Sequence, residues 1–245
     1  MSRGNKVRAD EAQHGLGNSL LAALPHAEYQ RLLAGVEPVT LKFGEVLQVP
    51  GAPLRHVYFP IDCVISLLTP IKGHPDLEIA LVGREGMVGI PLALGIEFSS
   101  RRALVQGPGT AMRMESGPFR RAFRRSMPLQ QALCRYEHAL VGQIGQLAAC
   151  TRFHPAQARL ARYLLMTADH TNSAEIRLTQ EFLASVLGVR RPAVTRAVSV
   201  LEKGGLIGCG RGKLTILDRK RLGAASCECY QIIKRISMDM TFEGK

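Results

Sequence analysis

Residues 179–201, TQEFLASVLGVRRPAVTRAVSVL, read as two short helices joined by a tight turn. Thr179 stands where its hydroxyl can cap the first helix. Leu183, Ala184 and Leu187 then recur at helical spacing and face inward. Ala184 is small at the point where a second helix must cross closely. Gly188 falls at the turn, where a left-handed backbone suits glycine, and Val189 buries the turn. Val194, Ala197, Val198 and Leu201 form one face of the second helix. Pro192 is tolerated in its first turn, where a missing N–H costs nothing. The span Gln180 to Ser199 thus fits a helix-turn-helix.

The opposite face of the second helix is polar and basic. At about 100° per residue, Thr195, Ser199 and Arg196 lie roughly 40°, 80° and 140° around from Arg191. A recognition helix presents its first turns to base edges in the major groove, where arginine can bond guanine O6 and N7 together. Arg190, Arg191, Thr195 and Arg196 are therefore expected to contact bases, with Thr179 and Ser199 on the backbone. After Gly204-Gly205, Leu206–Gly208 and Leu214–Leu217 read as strands around Gly210-Arg211-Gly212. This hairpin wing would offer Arg211 and Lys213 to phosphates.

Charge agrees with this placement. The 245 residues carry 32 Lys+Arg and 20 Asp+Glu, a net +12. Residues 1–150 hold 16 basic and 12 acidic residues, whereas 151–245 hold 16 and 8. The shorter part carries two thirds of the excess, as expected for a polyanionic partner. No apolar run reaches the roughly 18 residues of a membrane span. Met1-Ser2-Arg3-Gly4-Asn5-Lys6 has no apolar core after its basic residues, so a cytoplasmic chain without membrane contact is expected.

Upstream, the texture differs. Residues 1–17 are polar, and Asn18-Ser19 can cap a short helix through Leu24, with another turn at Glu28–Leu33. Seven β-rich pieces follow: Val39–Leu41, Val46–Val49, His56–Phe59, Val64–Leu68, Leu77–Val82, Ala103–Gln106 and Thr110–Met114. Gly/Pro turns between them indicate an antiparallel sandwich or barrel. Helical texture starts at Gly117-Pro118. From Met127-Pro128, an apolar stripe of Leu129, Leu133, Tyr136, Leu140, Ile144 and Leu147 approaches a coiled-coil pattern. That stripe can pack on its own sandwich or form a dimer seam. Gly142, Gly145, Ala148 and Ala149 would allow close backbone approach and favour the seam. Pro155 restarts the chain, and Ala158, Ala161, Leu164 and Leu165 mark a helix ending at a polar Asp169–Ser173 loop.

With these pieces in order, the chain from about Asn18 to Asp218 resembles the Crp/Fnr family of bacterial transcription regulators. The resemblance implies an α+β fold: an N-terminal antiparallel β-roll (jelly roll) of cyclic-nucleotide-binding type, a long dimerisation helix and a C-terminal winged helix-turn-helix. It places a tail at 1–17, the β-roll sensor at 18–126, the dimerisation helix at 127–150, the DNA-binding domain at 151–221 and a tail at 222–245. The implied function is sequence-specific DNA binding by a homodimer under a signal at the β-roll. Its partners are double-stranded DNA, a second copy, RNA polymerase and a small-molecule effector. Arg191 and Arg196 match the family's basic positions on the recognition helix, while Pro192 replaces an acidic one.

The effector site departs from the family pattern. Gly89-Ile90-Pro91 stands where nucleotide-binding members have Gly-Glu-Leu, and Ile90 cannot accept a ribose hydroxyl. Arg101-Arg102-Ala103 stands near the phosphate-holding position, so Gly89, Arg101 and Arg102 are the effector candidates and cyclic AMP is not expected. Iron–sulfur members carry an N-terminal cysteine cluster, but residues 1–62 contain no cysteine. Haem would need an axial ligand such as His56 or His74, and lone histidines are ordinarily hydrogen-bonded surface groups. The six cysteines (Cys63, Cys134, Cys150, Cys209, Cys227, Cys229) include no Cys-x2-Cys pair. No metal site is expected, and they read as packing residues, with Cys134, Cys150 or Cys227/Cys229 as candidates for a thiol sensor. No His-x3-His, Gly-x-Ser-x-Gly or phosphate-loop motif supports an enzyme on phosphorylated substrates, and no catalytic residue is assigned. A ligand-binding module with a protein output is the remaining alternative.

Overall fold

Asn18 starts the first helix and anchors it. Its Oδ1 accepts the Leu21 N–H at 3.1 Å, and its Nδ2 donates to the carbonyls of Pro60 at 2.9 Å and Gly86 at 2.8 Å. One buried side chain thus caps α1 (Ser19–Ala22) and ties it to two loops of the following roll. The computed structural model describes residues 17–171 and 173–239, so the tail expected at 1–17 lies outside it except for its last residue. A second helix, α2 (His26–Leu33), leads into the strands.

The strands are β1 (Glu37–Leu41), β2 (Val46–Gln48), β3 (His56–Pro60), β4 (Val64–Thr69), β5 (Leu77–Val82), β6 (Arg102–Gly107) and β7 (Gly109–Glu115). All seven β-rich pieces of the sequence are strands, shifted by a residue or two at their ends. They form two antiparallel sheets, ordered β1-β7-β3 and β2-β6-β4-β5. Side chains alternate across a strand, so the second sheet has two dry faces. Ile65, Leu67, Val82 and Val105 point into the roll. Val64 and Leu81 point outward, into a second core completed by a helix from the C-terminal half.

Two helices close the roll: α3 (Ser116–Arg125) and α4 (Met127–Phe153). Ser126 caps α4 by accepting the Leu129 N–H, and Pro128 occupies its first turn. The expected dimer seam is corrected here. Leu129, Leu133, Tyr136, Leu140 and Leu147 are buried within this one chain, and Ile144 packs beside them. Tyr136 donates its hydroxyl to the Met87 carbonyl at 2.8 Å, over a glycine, Gly86, whose place no larger residue could take without striking the ring. Burying each such side chain contributes roughly 1.5–3 kcal/mol, so the roll claims the stripe before a partner can.

The next helix, α5 (Ala156–Thr171), lies on the outer face of β2-β6-β4-β5, running to Thr171 rather than ending before the expected polar loop at Asp169. The rest comprises β8 (Glu175–Arg177), α6 (Gln180–Leu187), α7 (Arg191–Lys203), β9 (Ile207–Gly210), β10 (Lys213–Ile216), α8 (Arg219–Ala225) and α9 (Cys229–Asp239). The tail expected from residue 222 is therefore helical through residue 239. Asp218 caps α8, Leu222, Tyr230 and Ile233 are buried, and Tyr230 donates to Asp169 at 2.7 Å. These anchors hold α9 along α4 and α5. The same closure gathers Cys150, Cys227 and Cys229 into one buried cluster, so these three pack against one another.

Beneath α5 the outward sheet face holds a polar group. Ser66 donates to the Glu78 carboxylate at 2.6 Å, with Gln106 3.1 Å from the same hydroxyl. Burial pushes Glu78 from its ordinary 4.5 to about 7, against the pull of Ser66 and the Arg162 guanidinium. The folded pKa exceeds the unfolded one, so the stabilising neutral acid is fully present below about pH 4.5 and lost as pH rises through about 7. Glu78→Gln should therefore stabilise the fold by roughly 1–3 kcal/mol near pH 8 and by little near pH 4.5. Urea denaturation at both values checks this; a pH-independent difference would contradict it.

Candidate nucleic-acid interface

Local bonds build the helix-turn-helix. Thr179 Oγ1 accepts the Phe182 N–H at 3.0 Å, so the residue expected at a phosphate already caps α6. Gly188 ends α6 in the left-handed region (φ 57°), and the Val189 N–H reaches back to the Ala184 carbonyl at 3.1 Å. A methyl group at Gly188 would also crowd Leu77 of the roll. Val194, Ala197, Val198 and Leu201 then seat α7 against α6 and α5.

This seating leaves Arg190, Arg191, Thr195 and Arg196 exposed together on the outer face of α7's first turns. Ser199, one turn further on, is half-buried at the rim of that face. Thr195 donates its hydroxyl back to the Arg191 carbonyl at 3.2 Å. Arg191 pairs with Glu181 of α6 at 3.2 Å, both side chains being mostly in solvent. An exposed pair of this type is worth about 0–1 kcal/mol, so a base or phosphate can displace it readily.

The wing is a three-stranded sheet ordered β8-β10-β9, one strand more than the sequence suggests. Gly212 (φ 71°) makes its tip and leaves Arg211 exposed. Lys213 is not a bare cation: its Nζ lies 2.7 Å from Glu175 on β8. Neither Glu175 nor Glu181 is legible in the sequence as part of the site, because both partnerships arise only when separate elements pack side by side.

The roll reaches this surface directly. Ile71, His74, Pro75 and Leu77, around the β4–β5 turn, face the α6–α7 turn across a cleft of about 530 Å³ that Arg190 and Arg191 border. A second cavity, about 240 Å³, lies inside the roll's edge and is lined by Gly89 (φ 105°) and Arg101. Arg102, the third expected effector residue, is elsewhere. As the first residue of β6 it points to the other face from Arg101 and pairs with Asp76 at 2.9 Å. The cavity instead gains Gln48 and Glu137, whose buried Nε2 and Oε2 find no hydrogen-bond partner among the described residues. Glu137 comes from α4, so no local sequence pattern reveals it.

Residues 158–225 match the Crp-like helix-turn-helix domain family. Solved structures share the architecture over most of the chain. A CRP-family transcriptional regulator from Thermus thermophilus is 18% identical, with a TM-score of 0.66 over 77% of this chain and 96% of its own. FixK2 from Bradyrhizobium japonicum is 14% identical, with a TM-score of 0.65 over 78% and 98%. The c-di-GMP-responsive global regulator CLP of Xanthomonas campestris is 15% identical, with a TM-score of 0.65 over 79% and 100%. No curated protein sequence matches the chain significantly. Among the described residues, no helix is long and apolar enough to cross a membrane. The chain carries a Crp-like helix-turn-helix domain, and its architecture from roll to wing is that of the Crp/Fnr transcriptional regulators.

Proposed function

We propose that this protein is a homodimeric, sequence-specific DNA-binding transcription regulator answering to a small polar molecule in the β-roll cavity. The exposed cluster Arg190, Arg191 and Arg196 at the start of α7, flanked by Arg211 on the wing, carries this reading. Phosphate contacts from the wing would position the domain, and the arginines on α7 would read base edges.

The dimer would use a different face of α4 from the buried stripe. Cys134, His138, Val141, Gly145, Ala148 and Arg152 are all exposed, and their spacing of 4, 3, 4, 3 and 4 makes a continuous seam. Val141 supplies the apolar centre, while Gly145 and Ala148 allow close approach. Two copies joined there would present their recognition helices to successive major grooves, about 34 Å apart.

The effector would sit with Gly89 and Arg101, satisfying the orphaned Gln48 amide and Glu137 carboxylate. At about 240 Å³ the cavity is below the usual range of roughly 300–1,000 Å³ for ligand pockets, which favours a small molecule. Because Glu137 belongs to α4 and neighbours the seam residue His138, a ligand that moves it acts on the dimer helix. The cleft between the β4–β5 turn and the α6–α7 turn would carry the change to the recognition helix.

Three measurements test this. Selection from random duplex DNA should yield a two-fold symmetric site. On that site Arg191→Ala should lose roughly 1–3 kcal/mol of discrimination at one base pair, while Lys213→Ala should weaken all sequences alike and lower the salt slope by about one. Unchanged base preference in Arg191→Ala would remove Arg191 from the reading. In sedimentation, Val141→Glu should give a folded monomer; a persistent dimer would place the interface elsewhere.

A further inference from the structure

The buried cysteine cluster noted above includes a histidine and has the chemistry of a metal centre. One sulfur or nitrogen atom from each of Cys150, His154, Cys227 and Cys229 lies within 4.8 Å of every other. We propose that these four residues form a closed Cys3His site for a tetrahedral, thiolate-seeking divalent cation, with zinc as its natural occupant.

The geometry fits that ion. With zinc bonds of about 2.3 Å to sulfur and about 2.0–2.1 Å to nitrogen, the edges of a tetrahedron are about 3.8 Å between sulfurs and about 3.6 Å from sulfur to nitrogen. Cys150 Sγ and Cys227 Sγ are 3.5 Å apart, and Cys229 Sγ lies 3.5 Å from His154 Nδ1. The ligands need only small adjustments. All three cysteines are buried, and Ala158 packs against them, so the sulfurs are shielded from solvent.

Outer contacts orient the ligands as metal sites require. Glu228, between the two cysteines of the Cys-x-Cys pair, holds the far imidazole nitrogen of His154: Oε1 to Nε2 is 3.0 Å. A carboxylate there fixes the tautomer that leaves Nδ1 free to bind a cation. Gln146 donates from Nε2 to Cys229 Sγ at 3.0 Å, a bond that suits a thiolate. Charge balance points the same way. Arg159 and Arg162 are buried within electrostatic reach of Cys150, and their Nε atoms have no hydrogen-bond partner among the described residues. Three thiolates, a neutral imidazole and a divalent ion sum to one negative charge, a counterpart for buried guanidiniums. Binding would release the three thiol protons to solvent.

With four protein ligands there is no open position for a substrate, so the role is structural. Cys150 and His154 lie at the end of α4, and Cys227 and Cys229 at the junction of α8 and α9, 77 residues on from Cys150 to Cys227. The ion would staple α9 to α4 where the chain turns, at Pro155, into the helix-turn-helix domain. It would therefore set the stiffness of the joint between that domain and the long helix. The site does not depend on the DNA or effector assignments.

Full-length protein, purified reduced and without chelator, should contain about one zinc per chain by elemental analysis. The stripped protein titrated with cobalt(II) should develop tetrahedral d–d bands and sulfur-to-cobalt charge transfer, and zinc should displace them. Cys229→Ser should lose these bands, whereas Cys209→Ser, altering an exposed cysteine of the wing, should keep them. Should Cys229→Ser fail to fold, two milder variants decide. Glu228→Gln should retain its circular dichroism and bind roughly 10–100-fold more weakly. His154→Cys should still bind cobalt, with its spectrum changed from that of a Cys3His site to that of a four-thiolate site. The proposal is overturned if the anaerobically purified protein binds neither zinc nor cobalt stoichiometrically. It is also overturned if Cys150 and Cys227 emerge from that preparation as a disulfide, or if Glu228→Gln binds as wild type.

Discussion

The burial of one helix stripe against the β-roll governs the rest of the molecule. Leu129, Leu133, Tyr136, Leu140 and Leu147 give α4 to its own chain. With that face spent, the others acquire defined tasks. Gly142 and Gln146 look toward α9, where Ile236 and Cys229 meet them. Cys134, His138, Val141, Gly145, Ala148 and Arg152 remain in solvent. A helix of 27 residues, about 40 Å long, thus has a core face, a docking face and a free face.

The contact between the roll and the C-terminal half is partly polar. α5 covers the outer face of β2-β6-β4-β5 with apolar side chains but also meets Glu78, Ser66 and Gln106 there. At its far end, His170 lies 3.2 Å from Glu85 of the roll. Burial opposes charge on both groups, yet their mutual attraction prevails: the imidazole is held above its ordinary pKa and the carboxylate below. Removing either partner of a buried ion pair would leave an uncompensated charge, so each group constrains where the other can sit. This pair ties the C-terminal end of α5 to the roll, in the half of the chain that also carries α6 and α7.

Legibility in the sequence followed the range of the forces involved. The seven strands were readable because alternation and Gly/Pro turns are local. The α6–α7 unit was readable because Thr179, Ala184, Gly188 and the inner face of α7 act within about twenty residues. Spacing alone does not say which face of α4 a partner would meet, because steps of three and four recur on every face of a long helix: Leu129–Leu147 and Cys134–Arg152 are both built from them. Arg102 was misplaced because strand residues next to one another face opposite ways. The α9 region looked like a tail because its apolar positions are few, and their partners lie on α4 and α5.

The amino-acid sequence by itself determined the order of roll, long helix and winged helix-turn-helix, together with the basic face of α7, since periodicity, capping and turn chemistry depend on near neighbours. Only the tertiary structure decided which face of α4 is free, which polar groups share the roll cavity, and that three cysteines and a histidine meet at the α4 terminus. Cys150 and Cys227 are 77 positions apart. No spacing rule joins them. They meet because α9 buries Tyr230 and Ile233 against the helices before it, a preference written in packing rather than in pattern.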